Sequence, residues 1–228
     1  MTQTGTRPEA MIFDLDGTLF QTETLLLPAY HAAFVQLREE GLFHGPTPPE
    51  EHILGALGML LEHIWERIMP GTSAETRKRA DELLLKYQMD GLRKGGGFLY
   101  EGVAETLQSL RNTGIRLFVA SNGLEAYVKG VVHEKGIGSL FEGLYSAGEF
   151  QTSAKADLVR ILLDRHEIVS AWMVGDRSSD VEAGAKNGLY VVGCDYAGFG
   201  EKTELQGADV RIRSFAELAG MINELPAR

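Results

Sequence analysis

Asp14 and Asp16 lie two residues apart, directly after the apolar run 11–13 and before Gly17. In an extended chain, residues i and i+2 point to the same side, so both carboxylates can face one point. Two like charges at one point repel each other unless a cation, a proton or a reacting group is held there. Because Asp-Gly is also an ordinary turn sequence, a strand that ends with solvated aspartates is the alternative interpretation.

Other residues that can bind phosphate or metal occur in three further segments of the chain. A lone serine before a helix is usually a cap, a lone lysine is usually solvated, and Gly-Asp after a strand is usually a turn. Together, however, these residues follow the strands of one predicted sheet and would meet at one edge. They are Ser121, Asn122, Lys155, Asp176 and Asp180.

Five strand-like apolar runs alternate with helical patterns and position these residues. Strands that alternate with helices predict an α/β fold with a doubly wound, Rossmann-like parallel sheet, in which ligands bind beyond the carboxyl ends of the strands. The runs are 11–13, 115–120, 172–174, 190–192 and 210–212.

The segment 20–97 departs from this alternation, since it shows only helical periodicity. Tyr30, Phe34 and Leu37 form one stripe, and a second stripe from Ile53 to Ile68 predicts a second helix. Thr72 is the expected cap of a third, and three glycines at 95–97 form a flexible joint. We therefore expect a catalytic core of residues 1–19 and 98–228, with an inserted all-helical cap at 20–97 that acts as a lid.

Composition narrows the class of protein. With 22 basic and 32 acidic residues the net charge is −10 and the pI is about 5.1, which disfavours nucleic acid and anionic membranes as partners. The only cysteine, Cys194, cannot form an internal disulfide and is expected in the core. No apolar run has the length of a membrane span, and residues 1–8 lack the apolar centre of a secretion signal. These features predict a cytoplasmic protein.

The motifs together resemble the haloacid dehalogenase superfamily, and most closely its phosphatases with a helical cap. Residues 14–19 (DLDGTL) are similar to that family's first motif, Ser121 to its second, Lys155 to its third, and Asp176 with Asp180 to its fourth. Segments 198–200 and 207–209 look like the tail of phosphoglycolate phosphatase-like members. The resemblance implies a phosphatase of that family.

The residue types suit this chemistry. Asp14 is the expected nucleophile, because a carboxylate can attack phosphorus and form an acyl phosphate. Asp16 is the expected general acid and base, which must hold a proton at neutral pH. Ser121, Asn122 and Lys155 are expected to bind the phosphoryl oxygens, with Lys155 also offsetting negative charge.

A hard divalent cation, Mg²⁺, is the expected cofactor, because it offsets repulsion between an anionic nucleophile and an anionic phosphate. Asp14 and Asp176 are the expected direct ligands, and Asp180 is expected to act directly or through water. The expected metal set is completed by Asp16, the fourth carboxylate of the same edge.

The sequence thus predicts a Mg²⁺-dependent phosphatase of a small phosphorylated metabolite that acts through an aspartyl-phosphate, with phosphoglycolate favoured by the resemblance.

Gln21-Thr22 stands where many relatives have Asp-Ser, which weakens assignment to a subfamily. A phosphosugar mutase of the β-phosphoglucomutase type is the nearest alternative, although residues 25–27 and 55–58 are apolar where such mutases carry basic groups. A dehalogenase is disfavoured because it has no use for Asp16. A binding or regulatory protein on this scaffold would be marked by loss of a motif residue.

Overall fold

The computed structural model describes residues 7–57, 59, 61–198 and 203–226, apart from the side chains of residues 61 and 62. The strands in chain order are β1 (Ala10–Phe13), β2 (Phe20–Gln21), β3 (Phe98–Leu99), β4 (Arg116–Ser121), β5 (Gly143–Ser146), β6 (Ala171–Gly175), β7 (Tyr190–Cys194) and β8 (Val210–Ile212). The helices are α1 (Glu23–Glu39), α2 (Glu50–Leu54), α3 (Leu61–Ile68), α4 (Ala74–Arg93), α5 (Val103–Asn112), α6 (Glu125–Glu134), α7 (Ala147–Phe150), α8 (Lys155–Arg165), α9 (Ser178–Lys186) and α10 (Glu217–Asn223).

The main sheet is parallel throughout and has the strand order β5-β4-β1-β6-β7-β8. β1 lies between β4 and β6, with Ile12 paired to Phe118 on one side and to Met173 on the other. The chain after β1 continues to β4 on one side, whereas the chain after β6 continues to β7 on the other side. This reversal opens a crevice at the carboxyl ends of β1 and β6.

Both faces of this sheet are covered, as its apolar strands require. Met11 and Phe13 of β1 pack into a cluster with buried residues of α5, α6 and α10. Ala10 and Ile12, which point the other way, pack with α8 and with Ala183 of α9. The alternation fixes the register of β1, and with it the position of the residues that follow.

The cap contains α1 to α4 and has a core of its own. Tyr30, Phe34 and Leu37 of α1 are fully buried, together with Trp65 of α3 and Leu83 of α4. The cap segment leaves the core through β2 and returns through β3, which pair antiparallel. The division into a core of 1–19 and 98–228 and a cap of 20–97 remains our proposed division of the chain.

The sequence-based fold class, a doubly wound parallel sheet with an inserted helical cap, is confirmed. The single helix predicted from Ile53 to Ile68 is wrong, because the chain forms two helices there, α2 and α3. The expected cap Thr72 is also wrong by one residue, since the hydroxyl of Ser73 accepts the hydrogen bond from the backbone of Thr76 at 3.1 Å. Edge strand β5 was not predicted, because its sequence, GLYS, carries no apolar run.

Within the described ranges, no helix combines the length and the hydropathy that crossing a bilayer requires. Cys194, which was expected in the core, is buried at the end of β7 as a free thiol. Phe199 and Gly200, part of the tail resemblance, and Gly58 of the segment 55–58 lie outside the described residues.

Candidate active site

Three buried aspartates meet beyond the carboxyl ends of β1 and β6. Asp14 directly follows β1, Asp176 directly follows β6, and Asp180 lies in the first turn of α9. Each offers one carboxylate oxygen, and these oxygens lie within 4.8 Å of one another. The sheet edge therefore brings together three of the four carboxylates that the sequence predicted as a metal set.

Glycines make room for this cluster. Gly17 has a φ of +82°, and a Cβ there would lie 2.4 Å from Oδ2 of Asp176. A Cβ on Gly175 would lie 2.2 Å from Cγ of Asp180. Thr18, next to Gly17, donates from its hydroxyl to Oδ1 of Asp176 at 3.1 Å. The turn after β1 thus leaves space for the carboxylate of Asp176, which follows β6, and also orients it.

Lys155, the first residue of α8, is buried against the cluster. Its Nζ donates to Oδ1 of Asp14 at 2.7 Å and to Oδ1 of Asp180 at 2.6 Å. Burial alone would lower the pKa of this lysine, but the two carboxylates outweigh burial and raise it above its ordinary value. Lys155 is therefore a fixed cation that joins the two carboxylates.

Two buried cations, Lys155 and Arg177, do not balance the three carboxylates, and Nε of Arg177 lies 3.8 Å from Oδ2 of Asp176. Burial raises the pKa of Asp14 and the pKa of Asp180, the latter to about 6, although Lys155 opposes both shifts. Burial and the charges of its two neighbours raise the pKa of Asp176 well above its ordinary value. Oδ2 of Asp14 is buried and has no hydrogen-bond partner among the described residues. A hard cation fits this set, because it supplies the missing charge and uses oxygen ligands.

The Asp16 side chain is held outside that cluster. Its Oδ1 accepts hydrogen bonds from the hydroxyls of Thr22 and Tyr127, both at 2.6 Å. Burial raises the pKa of Asp16, and these two hydrogen bonds oppose the shift. A raised pKa helps the carboxyl group to carry a proton near neutral pH, as an acid catalyst must. The structure therefore separates Asp16 from the other three predicted metal residues.

Ser121 and Asn122 lie across the crevice, between the end of β4 and the start of α6. The Ser121 hydroxyl is buried and accepts a hydrogen bond from the backbone N–H of Gly123 at 3.1 Å, which leaves its own hydrogen available to donate. Ser121 and Asn122 line the same cavity as Asp14 and Asp16. A hydroxyl donor at a helix N-terminus suits a phosphoryl oxygen.

This cavity extends from the core into the cap. Its empty volume, including its open mouth, is about 710 Å³. The core side presents Asp14, Asp16, Ser121 and Asn122, and the cap side presents residues from α1, α3 and α4 and from α2 with the loop that follows it. Lys155 lines the neighbouring cavity. The described cap thus covers the candidate catalytic groups.

Sequence reasoning missed Thr22 and Tyr127 as partners of Asp16, and it left the partner of Arg177 open. The hydroxyls of Thr22 and Tyr127 hold the Asp16 side chain. The one sign of these contacts in the sequence was Thr22, which follows Asp16 by six residues. Arg177 is buried, and its guanidinium donates to the carbonyl of Leu54 in the cap at 3.1 Å and lies 3.5 Å from Glu204. Such contacts join segments far apart in the chain, so spacing carries no trace of them.

Comparison with known proteins agrees with this geometry. The model of the haloacid dehalogenase-like hydrolase family matches residues 11–194. The tyrosine-protein kinase PtkA of Mycobacterium tuberculosis is 30% identical in an alignment of length 213 that covers 87% of this chain and 67% of that protein. The pyrophosphatase PpaX of Bacillus velezensis is 28% identical in an alignment of length 210 that covers 88% of this chain and 89% of that protein.

The same fold occurs in a solved structure. The crystal structure of a predicted phosphatase from Clostridium acetobutylicum superimposes with a TM-score of 0.80 at 24% identity, covering 96% of this chain and 100% of that one. The family match covers the sheet edge that carries all four predicted motifs. The chain therefore belongs to the haloacid dehalogenase-like hydrolases.

Proposed function

We propose that this hydrolase is a Mg²⁺-dependent phosphatase that cleaves phosphate monoesters of small metabolites through an aspartyl-phosphate on Asp14. The observation that carries the proposal is the position of Asp14. Its carboxylate belongs to the buried cluster with Asp176 and Asp180, and it also lines the cavity with Asp16 and Ser121. One carboxylate thus faces both a cation site and a substrate chamber.

Asp14, Asp176 and Asp180 would hold the cation. A bound divalent metal offsets the negative charge of phosphate and nucleophile. The unpartnered Oδ2 of Asp14 and the excess of buried negative charge support this assignment. The carboxylate cluster favours a divalent metal ion, and Mg²⁺ is the ion that we propose for it.

The first displacement uses the chain's own groups. A carboxylate oxygen of Asp14 attacks phosphorus while the bond from phosphorus to the ester oxygen breaks. Asp16 donates its proton to that leaving oxygen, so an alcohol departs. Ser121 and Lys155 hold the phosphoryl oxygens and offset their charge. Asp16 then takes a proton from water as the water attacks the acyl phosphate, which releases phosphate and restores Asp14.

Thr22 and Tyr127 position the proton carrier in this scheme. Their hydroxyls both bind Oδ1 of Asp16, which leaves Oδ2 as the oxygen that can carry the proton toward the substrate. The two hydrogen bonds also fix the rotamer of Asp16. A fixed geometry matters because a misplacement of about 1 Å can cost about 10²-fold in rate.

The names of the relatives fit a reaction at a phosphoryl group. PpaX is named a pyrophosphatase, and this name supports hydrolysis. PtkA is named a tyrosine-protein kinase, an enzyme that transfers a phosphoryl group to a hydroxyl acceptor. Transfer from the same aspartyl-phosphate to tyrosine rather than water is therefore the second candidate. The β-phosphoglucomutase type of mutase is less favoured, since the described cap residues that line the Asp14 chamber include no lysine, arginine or histidine.

The test is phosphate release from p-nitrophenyl phosphate, with and without EDTA, for wild type and Asp14→Asn. Asp164→Asn, an exposed change on α8, is the matched control. We expect EDTA and Asp14→Asn each to abolish release, added Mg²⁺ to restore the wild type, and the control to stay active. Undiminished release without metal, or by Asp14→Asn, would refute the mechanism. Addition of a tyrosine peptide would divert phosphate from water only if the enzyme is a transferase.

A further inference from the structure

The cap side of the Asp14 chamber is formed largely by one face of α4. Asp81, Leu84, Leu85 and Gln88 line the cavity at spacings of three, four and seven residues, which place them on one stripe of a helix. The stripe has polar residues at its two ends and leucines between them. A group that enters from the catalytic side therefore meets an apolar wall with two polar positions.

Asp81 carries a negative charge in this chamber. Trp65 donates from its indole N–H to Oδ1 of Asp81, which fixes the carboxylate. Burial raises the pKa of Asp81 to about 6, with the Trp65 hydrogen bond opposing the shift, so the group is ionised above neutral pH. The cavity lining includes this carboxylate, and none of the described arginine or lysine residues pairs with it.

Gln88 supplies a second polar group. It is only 8% exposed and it lines the cavity. A side-chain amide both donates and accepts hydrogen bonds, so in a cavity wall it can bind a polar group of a ligand.

Apart from Thr22, the remaining cap lining is apolar. Leu26 of α1, Ile53 of α2 and Ile64 of α3 face the same space, with Leu57 and Met59 between α2 and α3. Among the described lining residues of this chamber there is no lysine, arginine or histidine. The basic residues of this region, among them Arg67 and Arg177, line the neighbouring cavity, which shares Leu57, Met59 and Asn122 with this one. A second phosphate or a carboxylate that lay against α4 would therefore meet leucines and the anionic Asp81, and it would lose its water without gaining a cation.

From this arrangement we infer the class of substrate. The leaving group has an apolar body and a hydrogen-bond donor, a hydroxyl or an ammonium group, that binds Asp81, and it places no second anionic group against α4. Asp81 is then a specificity-determining residue, with Gln88 as a further hydrogen-bonding partner. The inference rests on the proposed phosphatase function, and it argues against phosphoglycolate, whose carboxylate would face Asp81.

A series of alkyl phosphates tests the inference directly. The esters have chains of two to six carbons that end in ammonium, hydroxyl, methyl or carboxylate, and phosphoglycolate joins the panel. We expect kcat/KM at pH 7.5 to be highest for the donor-ended esters, lower for methyl and lowest for carboxylate. Highest turnover of the carboxylate-ended esters or of phosphoglycolate would overturn the inference.

Asp81→Asn separates the role of Asp81 from general effects of charge. Asparagine keeps an acceptor for Trp65 but loses the negative charge. The matched control is Glu82→Gln, which removes the same charge one residue away on the outer face of α4. We expect Asp81→Asn to reduce the ratio of kcat/KM for ammonium-ended over carboxylate-ended esters about tenfold or more, and Glu82→Gln to leave it unchanged.

An unchanged ratio in an Asp81→Asn protein of normal thermal stability would overturn the assignment. p-Nitrophenyl phosphate distinguishes this failure from failure of the proposed function. Its turnover needs the catalytic groups but no donor at Asp81, so it should persist in the wild type and in Glu82→Gln. Absence of turnover with p-nitrophenyl phosphate in the wild type with Mg²⁺ would refute the phosphatase itself.

Discussion

Replacing Gly17 with alanine should disable the site while the fold survives. Gly17 has a φ of +82°, where an L residue costs about 1–2 kcal/mol, and its added Cβ would lie 2.4 Å from Oδ2 of Asp176. Since nonbonded atoms prefer about 3.5 Å or more, Asp176 must retreat by roughly 1 Å. A displacement of that size at a catalytic group costs about 10²-fold in rate.

Gly114→Ala provides the control for backbone strain. Gly114 has a φ of +86°, and a Cβ there meets nothing within 4 Å. Both variants should lose about 1–2 kcal/mol of stability, and a chain of this length loses about 2–4 °C in Tm for each kcal/mol. Only Gly17→Ala should also lose kcat and affinity for metal.

The assay combines differential scanning calorimetry with kcat/KM for p-nitrophenyl phosphate across a Mg²⁺ titration. Gly17→Ala should need more Mg²⁺ for half-maximal activity, because Asp176 is one of the proposed ligands. If Gly17→Ala matches Gly114→Ala in activity and in Mg²⁺ requirement, Asp176 does not depend on the turn after β1, and our account of the site is refuted.

Three further changes probe other groups. Asp16→Ala should slow formation of the aspartyl-phosphate from alkyl phosphates by about 10²- to 10⁴-fold, and from aryl phosphates by less, in single-turnover measurements. Lys155→Met should destabilise the metal-free protein by about 3–5 kcal/mol, because it leaves the buried Asp14 and Asp180 without their cation. That loss, measured as Tm, should be larger at pH 8 than at pH 5, since carboxyl groups with a raised pKa take up protons as the pH falls. Leu57→Arg should shift preference among metabolites towards esters with an extra anionic group.

Controls follow from the same geometry. Equal losses for alkyl and aryl phosphates would contradict the acid role of Asp16. Lys129→Met removes an exposed lysine and should change Tm little, so a similar loss there would contradict the role of Lys155. Val35→Arg, at an exposed position of α1, should leave substrate ranking unchanged. An unchanged ranking in folded Leu57→Arg would mean that Leu57 does not contact the substrate.

The sequence predicted the site residues best where a residue directly follows a strand or ends it. Asp14, Asp176 and Ser121 each lie at the end of a buried apolar run, and parallel strands bring such ends to one edge whatever the intervening loops do. The order of the four motifs then led to the family, which the comparisons confirm. The assigned roles of these residues stay predictions that the experiments above test.

What the sequence did not predict depends on contacts between distant segments. Tyr127 reaches Asp16 only because α6 follows β4, the neighbour of β1 in the sheet. Asp81 and Gln88 line the chamber because of how α4 packs in the folded protein. The apolar spacing of a helix predicts which residues share a face, but it does not predict what that face contacts. The break between α2 and α3 was missed because apolar spacing continued through it.

The pairing of β2 with β3 has a consequence for how such proteins diversify. Phe20 pairs with Leu99, so the chain leaves and re-enters the core at adjacent points. For the core, the whole cap is one long loop whose two ends lie side by side. The free-energy cost of closing a loop rises by only about 0.6 kcal/mol for each doubling of its length. Insertions are best tolerated where the two ends already meet. Evolution can therefore lengthen, shorten or exchange the cap without moving the strands that carry the aspartates, so new substrates need no new reaction.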